Sequence, residues 1–379
     1  MRSITIAVDS FKGSLSSREV AQAFELGFCR RLPDCKVRKV SIADGGEGTV
    51  DALVETLDGV YVDATVLDPL GRQIVARYGV IDGGKSAVME MSAASGLPLL
   101  APSERNPLLT STYGTGEMIL HAIDRGCRKF LVGIGGSATN DGGTGMLRAL
   151  GFRFLDAQGT ELVGGGEILE HIVTIDASAV REELSECEFI VACDVTNPLY
   201  GPAGAAYVYA PQKGADRAMV EQLDRGLRVY ARAIERFNGI KVDDIAGAGA
   251  AGGLGGGFKA LLAARLERGI DMVLDAMHFD DIIAGCDLVV TGEGRIDRQT
   301  TMGKAPSGVL NRAEAQGIPV VAIGGAVQPC EELSQSGFAA VLPIVAGPVS
   351  LDVAMQYDVA FENVARTAEQ IARLLTIKS

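Results

Sequence analysis

The chain has no tryptophan and only three histidines, His121, His171 and His278, among 379 residues. With so little imidazole, none of it at ligand spacing, a histidine-built zinc site or a Ser-His-Asp triad has little to be made from. Its seven cysteines, at positions 29, 35, 127, 187, 193, 286 and 330, stand far apart and form no C-x-x-C. An odd, scattered set of thiols argues against a disulfide framework and fits a reducing compartment. No apolar run reaches the ~18 residues of a membrane span, and strand-like residues 4–8 follow the start at once, with no signal peptide between. Positive charge is also short: 35 Lys+Arg against 48 Asp+Glu gives −13, which argues against nucleic acid or an anionic membrane as the main partner. The expectation is a soluble, cytoplasmic, globular protein. A small anionic ligand stays open, because local lysines matter more than the total.

Several catalytic motifs are missing as well. H-R-D, D-F-G and G-x-S-x-G do not occur, and the one G-x-x-x-x-G-K-[ST] string, Gly79–Ser86, lies in the turn between two strand-like runs rather than between a strand and a helix, which argues against a P-loop enzyme, a protein kinase of the usual type and an elbow hydrolase. The glycines at 249–253 lack the strand-to-helix setting, with an acid about 20 residues on, that would make a dinucleotide site convincing.

What is present is length for two domains, 47% apolar residues for a core, and 48 glycines clustered in short loops. The central stretch is residues 130–145, FLVGIGGSATNDGGTG. An apolar strand runs into a glycine loop and then a short helix. Glycines let backbone approach a ligand, and the first N–H groups of a helix lack internal partners, so this layout suits an anion. Ser137, Thr139 and Asn140 add donors; Asp141 suits a metal ion or a substrate hydroxyl better than a bare phosphate. The alternative is a strand-to-helix turn built on Asn140-Asp141-Gly142.

In chain order, residues 4–8 form a buried strand, and Ser16-Ser17-Arg18-Glu19 is a capping box that starts a helix near Ser17. Residues 37–43 form a second strand, followed by Asp44-Gly45-Gly46-Glu47-Gly48-Thr49 and another helix. Residues 61–66, 73–81 and 86–91 are successive short strands joined by turns, a mark of an antiparallel part of another domain. A strand at 188–193 ends in Asp194-Val195-Thr196-Asn197-Pro198. Pro211-Gln212-Lys213-Gly214-Ala215 leads into a long helix near 217–237. Residues 247–257, GAGAAGGLGGG, read equally as a phosphate-facing nest or a hinge, with a helix after them at 258–266. From Cys286 the parallel pattern returns: strands at 287–290, 319–323 and 338–345, a helix opened by Pro306, and a closing helix at 353–375. The fold class expected is therefore α/β with two domains. Residues 1–65 plus 285–379 make a flavodoxin-like parallel-sheet domain split in sequence. Residues 66–284 make an inserted mixed α/β domain, with an active-site cleft between the two.

Strand-end loops carry Asp44 and Glu47, Asp141, Asp194 and Asn197, and Glu293 and Asp297, while Lys12, Lys213 and Lys304 sit in similar loops. Phosphoryl transfer needs that mixture of metal-holding carboxylates, cations and backbone N–H groups. Each has a plainer alternative: Asp44 as a helix cap, Asp194 as a turn residue, Lys12 as a solvated loop lysine. Residues alone thus lead to a two-domain α/β enzyme acting on a small anionic ligand.

Six motifs taken together say more. Asp9-Ser10-Phe11-Lys12-Gly13-Ser14, the 43–49 loop, residues 133–143, Cys193-Asp194-Val195-Thr196-Asn197-Pro198-Leu199, the 211–215 loop and Thr291-Gly292-Glu293-Gly294-Arg295-Ile296-Asp297 resemble, in order and in register, the glycerate kinase type 1 family. The resemblance runs from residue 1 to about 345. It implies an ATP- and Mg²⁺-dependent kinase that phosphorylates (R)-glycerate at O2 to give 2-phosphoglycerate, in the breakdown of glyoxylate and sugar acids such as glucarate and galactarate. On that footing Asp194 is the first choice to orient the O2 hydroxyl, with Asp44 second. Lys12, Gly135, Gly136, Ser137, Thr139, Asn140, Asp141 and Asn197 hold phosphate or the glycerate carboxylate. Lys213, Lys304 and Arg295 counter phosphate charge, and Glu293, Asp297 and Glu47 hold Mg²⁺. Transfer to O3, a phosphatase or mutase on phosphorylated hydroxy acids, and a non-catalytic sensor are the rivals. Monomer and homodimer are both open.

Overall fold

The computed structural model describes residues 3–377. Its strands, in chain order, are β1 (Ser3–Val8), β2 (Lys36–Ser41), β3 (Val60–Leu67), β4 (Gln73–Ile81), β5 (Ser86–Glu90), β6 (Lys129–Gly133), β7 (Arg153–Leu155), β8 (Thr174–Asp176), β9 (Glu188–Ala192), β10 (Arg265–Glu267), β11 (Leu288–Ile296), β12 (Val320–Val327) and β13 (Ala340–Pro343). They divide between two compact units. The first holds residues 3–44, 51–56 and 273–377; the second holds 45–50 and 57–272.

The first unit is built on a five-stranded sheet in the order β13-β12-β11-β1-β2. Every pair in it is parallel. From β1 the chain steps outward to β2 on one side, and after the long excursion it resumes at β11 on the other. That is the doubly wound, flavodoxin-like order, and the point where it reverses lies between β1 and β11. Ile4, Ile6 and Val8 on β1 and Leu288 and Val290 on β11 are buried with Val20, Phe24 and Phe28 of the helix Ser17–Cys29 and Val364, Ala368 and Ile371 of the helix Tyr357–Leu375. The first of these helices opens on Ser16, whose side chain and that of Glu19 form the expected capping box. Gly27 lets the two helices close up: a Cβ there would lie 1.7 Å from the Ala365 carbonyl oxygen.

Two elements differ from their sequence reading. Residues 291–296 are not a loop but the continuation of β11, paired with β12 as far as Ile296 opposite Val327. Glycines hold this extension close: a Cβ on Gly292 would lie 2.2 Å from Ile323 O, and one on Gly325 2.5 Å from Gly294 O. The closing helix is two, Leu351–Ala354 and Tyr357–Leu375.

The second unit carries a six-stranded sheet, β10-β9-β6-β5-β4-β3. β5, β6, β9 and β10 run parallel, β4 adds antiparallel to β5, and β3 adds antiparallel to β4. Residues 60–65 therefore sit in this sheet rather than in the first unit, and the boundary falls before β3. The 45–50 segment also belongs here, with Val50 N–H donating to Glu90 Oε1 at 3.1 Å. The glycine-rich run at 247–257 is neither hinge nor exposed nest. Most of it lies within the helix Ala250–Leu261, which is kinked where Ala251, Gly252 and Gly253 take positive φ. The glycines are buried against backbone: Cβ atoms on Gly249 and Gly252 would lie 2.2 Å from Pro198 O and 2.1 Å from Thr139 O. Their task is close packing against the loops after β6 and β9.

Candidate active site

The first unit opens a cavity of about 1080 Å³ over the C-terminal ends of its strands. Open parallel sheets bind ligands at that edge, at the point where strand order reverses. Asp9 follows β1 there, and its backbone N–H donates to Gly292 O of β11 at 2.9 Å. Asp44 lines the same cavity after β2, and Glu293 lines it from β11. The helix after Asp44 begins only at Thr49, so Asp44 is not its cap.

Three carboxylates meeting in one cavity disturb one another. Asp9 is only 6% exposed. Burial is the main reason its pKa rises to about 6; the Asp44 and Glu293 charges add to this, while the Ser10 N–H and Lys12 oppose it. Burial also raises Glu293, against the Thr300 hydroxyl and Lys304. Thr300 Oγ1 donates to Glu293 Oε1 at 2.6 Å, and Lys304 Nζ stands 3.9 Å from Glu293 Oε2. Cations face these acids from two loops. Lys12 is exposed on a tight turn closed by the Phe11–Leu15 bridge, with Gly13 at φ +77° beside it. Lys304 is the N-cap residue of the helix Ala305–Ala315, whose first N–H groups suit an anion. Arg295 lies in the lining too, bonded to Gln328 Oε1 at 2.6 Å and 3.3 Å from Asp297 Oδ2.

A magnesium ion fits this donor set in one particular way. Among the described residues no three His, Cys, Asp or Glu side chains form a metal cage. Mg²⁺ does not need one, since it is commonly held by one or two carboxylates, waters and substrate phosphates. Phosphate has a candidate partner as well: Ser14 Oγ, in the cavity lining, is buried without a hydrogen-bond partner among the described residues. Asp297 lines the cavity but its carboxylate accepts from Gln299 N–H at 2.8 Å as a local cap. Glu47 is exposed in the 45–50 segment of the second unit and does not line this cavity.

In the second unit the glycine loop is mostly interior. Gly135 and Gly136 are exposed, and Ser137 is nearly covered. Thr139, Asn140 and Asp141 are 0% exposed. Asp141 accepts from Thr112 N–H and Oγ1, both at 2.8 Å, and from Gly143 and Gly145 N–H at 3.1 and 3.2 Å. It is thus a buried fastener for the turn into the helix Thr144–Ala149, whereas Thr139 Oγ1 and the Asn140 Oδ1 and Nδ2 atoms are buried without a hydrogen-bond partner among the described residues. Lys213 is buried as well. It is 1% exposed, and its Nζ donates to Ser137 Oγ at 2.7 Å and Thr139 O at 2.6 Å. Burial lowers its pKa to about 7, against the pull of Asp141. Asn197 is occupied within the unit, donating to Ala203 O and accepting from Tyr209 OH, each at 2.7 Å. Asp194, by contrast, is exposed at the end of β9, with Oδ1 accepting from Gly269 N–H at 2.9 Å.

Sequence reasoning places Asp9 at the strand-end edge with Lys12, Asp44 and Glu47 but gives it no role. The signal was present, since an acid directly after a buried strand of a parallel sheet stands where ligands bind, but nothing in the spacing told of its burial beside Asp44 and Glu293.

Fold and cavity together define an α/β enzyme whose strand ends gather carboxylates and lysines, the equipment of phosphoryl transfer. The comparisons agree. The glycerate kinase family profile matches residues 4–376. A protein named glycerate kinase from Bacillus cereus is 47% identical over 99% of this chain and 98% of its own. One named glycerate 2-kinase from Escherichia coli is 45% identical, again over 99% and 98%. A crystal structure titled putative glycerate kinase 2, from Salmonella typhimurium, superposes with a TM-score of 0.90 at 48% identity, covering 99% of this chain and 98% of that one. The chain belongs to the glycerate kinase family. It is a kinase, with a nucleotide and a small molecule as its substrates.

Proposed function

We propose that the protein transfers the γ-phosphoryl group of ATP to O2 of (R)-glycerate, giving 2-phosphoglycerate and ADP, in glyoxylate or sugar-acid catabolism. The observation that carries this reading is the meeting of Asp9, Asp44 and Glu293 with Lys12 and Lys304 at the reversal point of the first unit's sheet. The Escherichia coli relative's name, glycerate 2-kinase, supports O2 as the acceptor. Mg²⁺ would be held by Glu293 with Asp9 and Asp44 beside it, and bound there it would neutralise charge on the phosphates. Lys12 and Lys304 counter phosphate charge from their loops. Asp194, exposed at its strand end, accepts the hydrogen bond of the glycerate hydroxyl and so orients it, and the backbone at Gly135 and Gly136 receives the carboxylate. Seven free cysteines suit a cytoplasmic site of action, and among the described residues no helix is long and apolar enough to cross a membrane.

The test is ADP release from ATP, Mg²⁺ and D-glycerate, coupled to enolase without added mutase. Phosphoenolpyruvate formation is the expected result. ADP without phosphoenolpyruvate would move the transfer to O3. No ADP with either enantiomer of glycerate would refute the reading.

A further inference from the structure

The cavity of the first unit has two unlike sides. One carries the acids and lysines described above. The other is made by residues 343–355, whose side chains in the lining are all apolar: Pro343, Ile344, Val345, Val349, Leu351, Ala354 and Met355. Large aliphatic groups there are left to water, Val349 at 52% and Leu351 at 72% exposure. The two sides adjoin. A Cβ on Gly13, next to Lys12, would lie 2.8 Å from Met355 Cε, so the apolar side reaches the lysine turn. A ligand with phosphates at one end and an apolar face at the other would meet the lysines with the first and the aliphatic side with the second.

We propose that the nucleotide lies along this cavity within the first unit, its purine base against Val345, Val349, Leu351 and Met355 and its phosphates toward Lys12, Ser14 and Lys304. This rests on the kinase reading and adds to it which unit takes the nucleotide, which way round, and what holds the base. Aliphatic area covers the base, while charge and the helix N-terminus at Ala305 hold the other end.

The absence of tryptophan offers a clean probe. Leu351→Trp places the chain's one indole on the apolar side, at a position exposed enough to accept it. Its emission should change saturably with ATP and with ADP, and should not respond to inorganic tripolyphosphate, which has no base. Leu351→Asp should raise KM for ATP about tenfold, from lost apolar contact, with KM for glycerate moving less than twofold. Silence of the L351W emission to ATP, in a variant that still turns over ATP and glycerate, would overturn the proposal and leave the kinase reading standing. So would a rise in glycerate KM alone in L351D. If the unmodified protein neither binds ATP by calorimetry nor releases ADP, the kinase reading falls and this one with it.

Discussion

Asp9 should make the protein less stable than it need be. A carboxyl that titrates near pH 6 when folded, against 3.8 unperturbed, binds more protons folded than unfolded between those values. Stability contributed by such a group is full below about pH 4 and is lost as pH rises toward 6. Integrated over the two pKa values, the penalty is about 3 kcal/mol at pH 7.5, roughly half of that at pH 5 and small by pH 4. Burial is nearly complete at 6% exposure, so solvent screening takes little from these figures. Asp9→Asn keeps the oxygen that accepts the Ser10 N–H at 2.6 Å and removes only the charge. It should therefore be more stable than the unmodified protein by about 2–3 kcal/mol at pH 7.5.

The assay is urea unfolding of both proteins in chelator-containing buffer at pH 7.5 and pH 5, with ATP turnover measured alongside. The stability gap should narrow by roughly half at the lower pH, and turnover of D9N should fall at least tenfold. Mg²⁺ and nucleotide together should stabilise the unmodified protein more than D9N, because they supply the charge that Asp9 lacks a partner for. A variant that is less stable at pH 7.5, or a gap that does not narrow at pH 5, would refute the picture of a carboxylate held buried among like charges.

The other expectations are more local. Lys213→Met leaves Ser137 Oγ and Thr139 O without their donor and Asp141 without its nearby cation, so it should lose about 3 kcal/mol in urea unfolding at pH 7. The unmodified lysine, titrating near 7 when folded and 10.5 when not, should add stability as pH rises through that window, and K213M should lack that slope. Gly27→Ala drives a methyl to within 1.7 Å of Ala365 O and should cost about 3 kcal/mol or more, read as a lowered Tm. Asp194→Ala should lower kcat by about 100-fold or more if its carboxylate orients the hydroxyl; near-unchanged kcat would remove that role.

Period and composition carried much of the fold. The capping box at Ser16–Glu19, the buried β1, the strand run 60–90 and the split parallel sheet all rest on local pattern, and local pattern is what a sequence shows directly. The site was less legible for a physical reason. Exposure is a tertiary property. The loops 9–14 and 135–143 look alike on paper, glycine and hydroxyl residues after an apolar strand, yet Lys12 is exposed at a cavity while Asn140 and Asp141 are sealed in a core. What seals them is the helix Ala250–Leu261, more than a hundred residues on, whose glycines let its backbone press against the loop. The extension of β11 was hidden likewise, because Thr291-Gly292-Glu293-Gly294 has turn composition and is held extended only by β12 alongside.

The distribution of charge also explains how a chain of net −13 can hold a polyanion. In the cavity, Asp9, Asp44, Glu293 and Asp297 stand against Lys12, Lys304 and Arg295, four acids to three bases, so most of the excess of acid lies elsewhere on the chain. The bases are exposed or half-exposed, Lys12 and Lys304 on loops and Arg295 on β11, whereas Asp9 and Glu293 are buried and pushed toward protonation. A divalent cation, if it arrives with phosphate as proposed, would reverse that push, since it favours the ionised form of each acid. The strain Asp9 imposes on the folded state would then be released by ligand binding, and stability and function would be opposed at the same carboxyl. That is why the D9N comparison reads both: the same substitution that relieves the empty cavity must weaken the filled one.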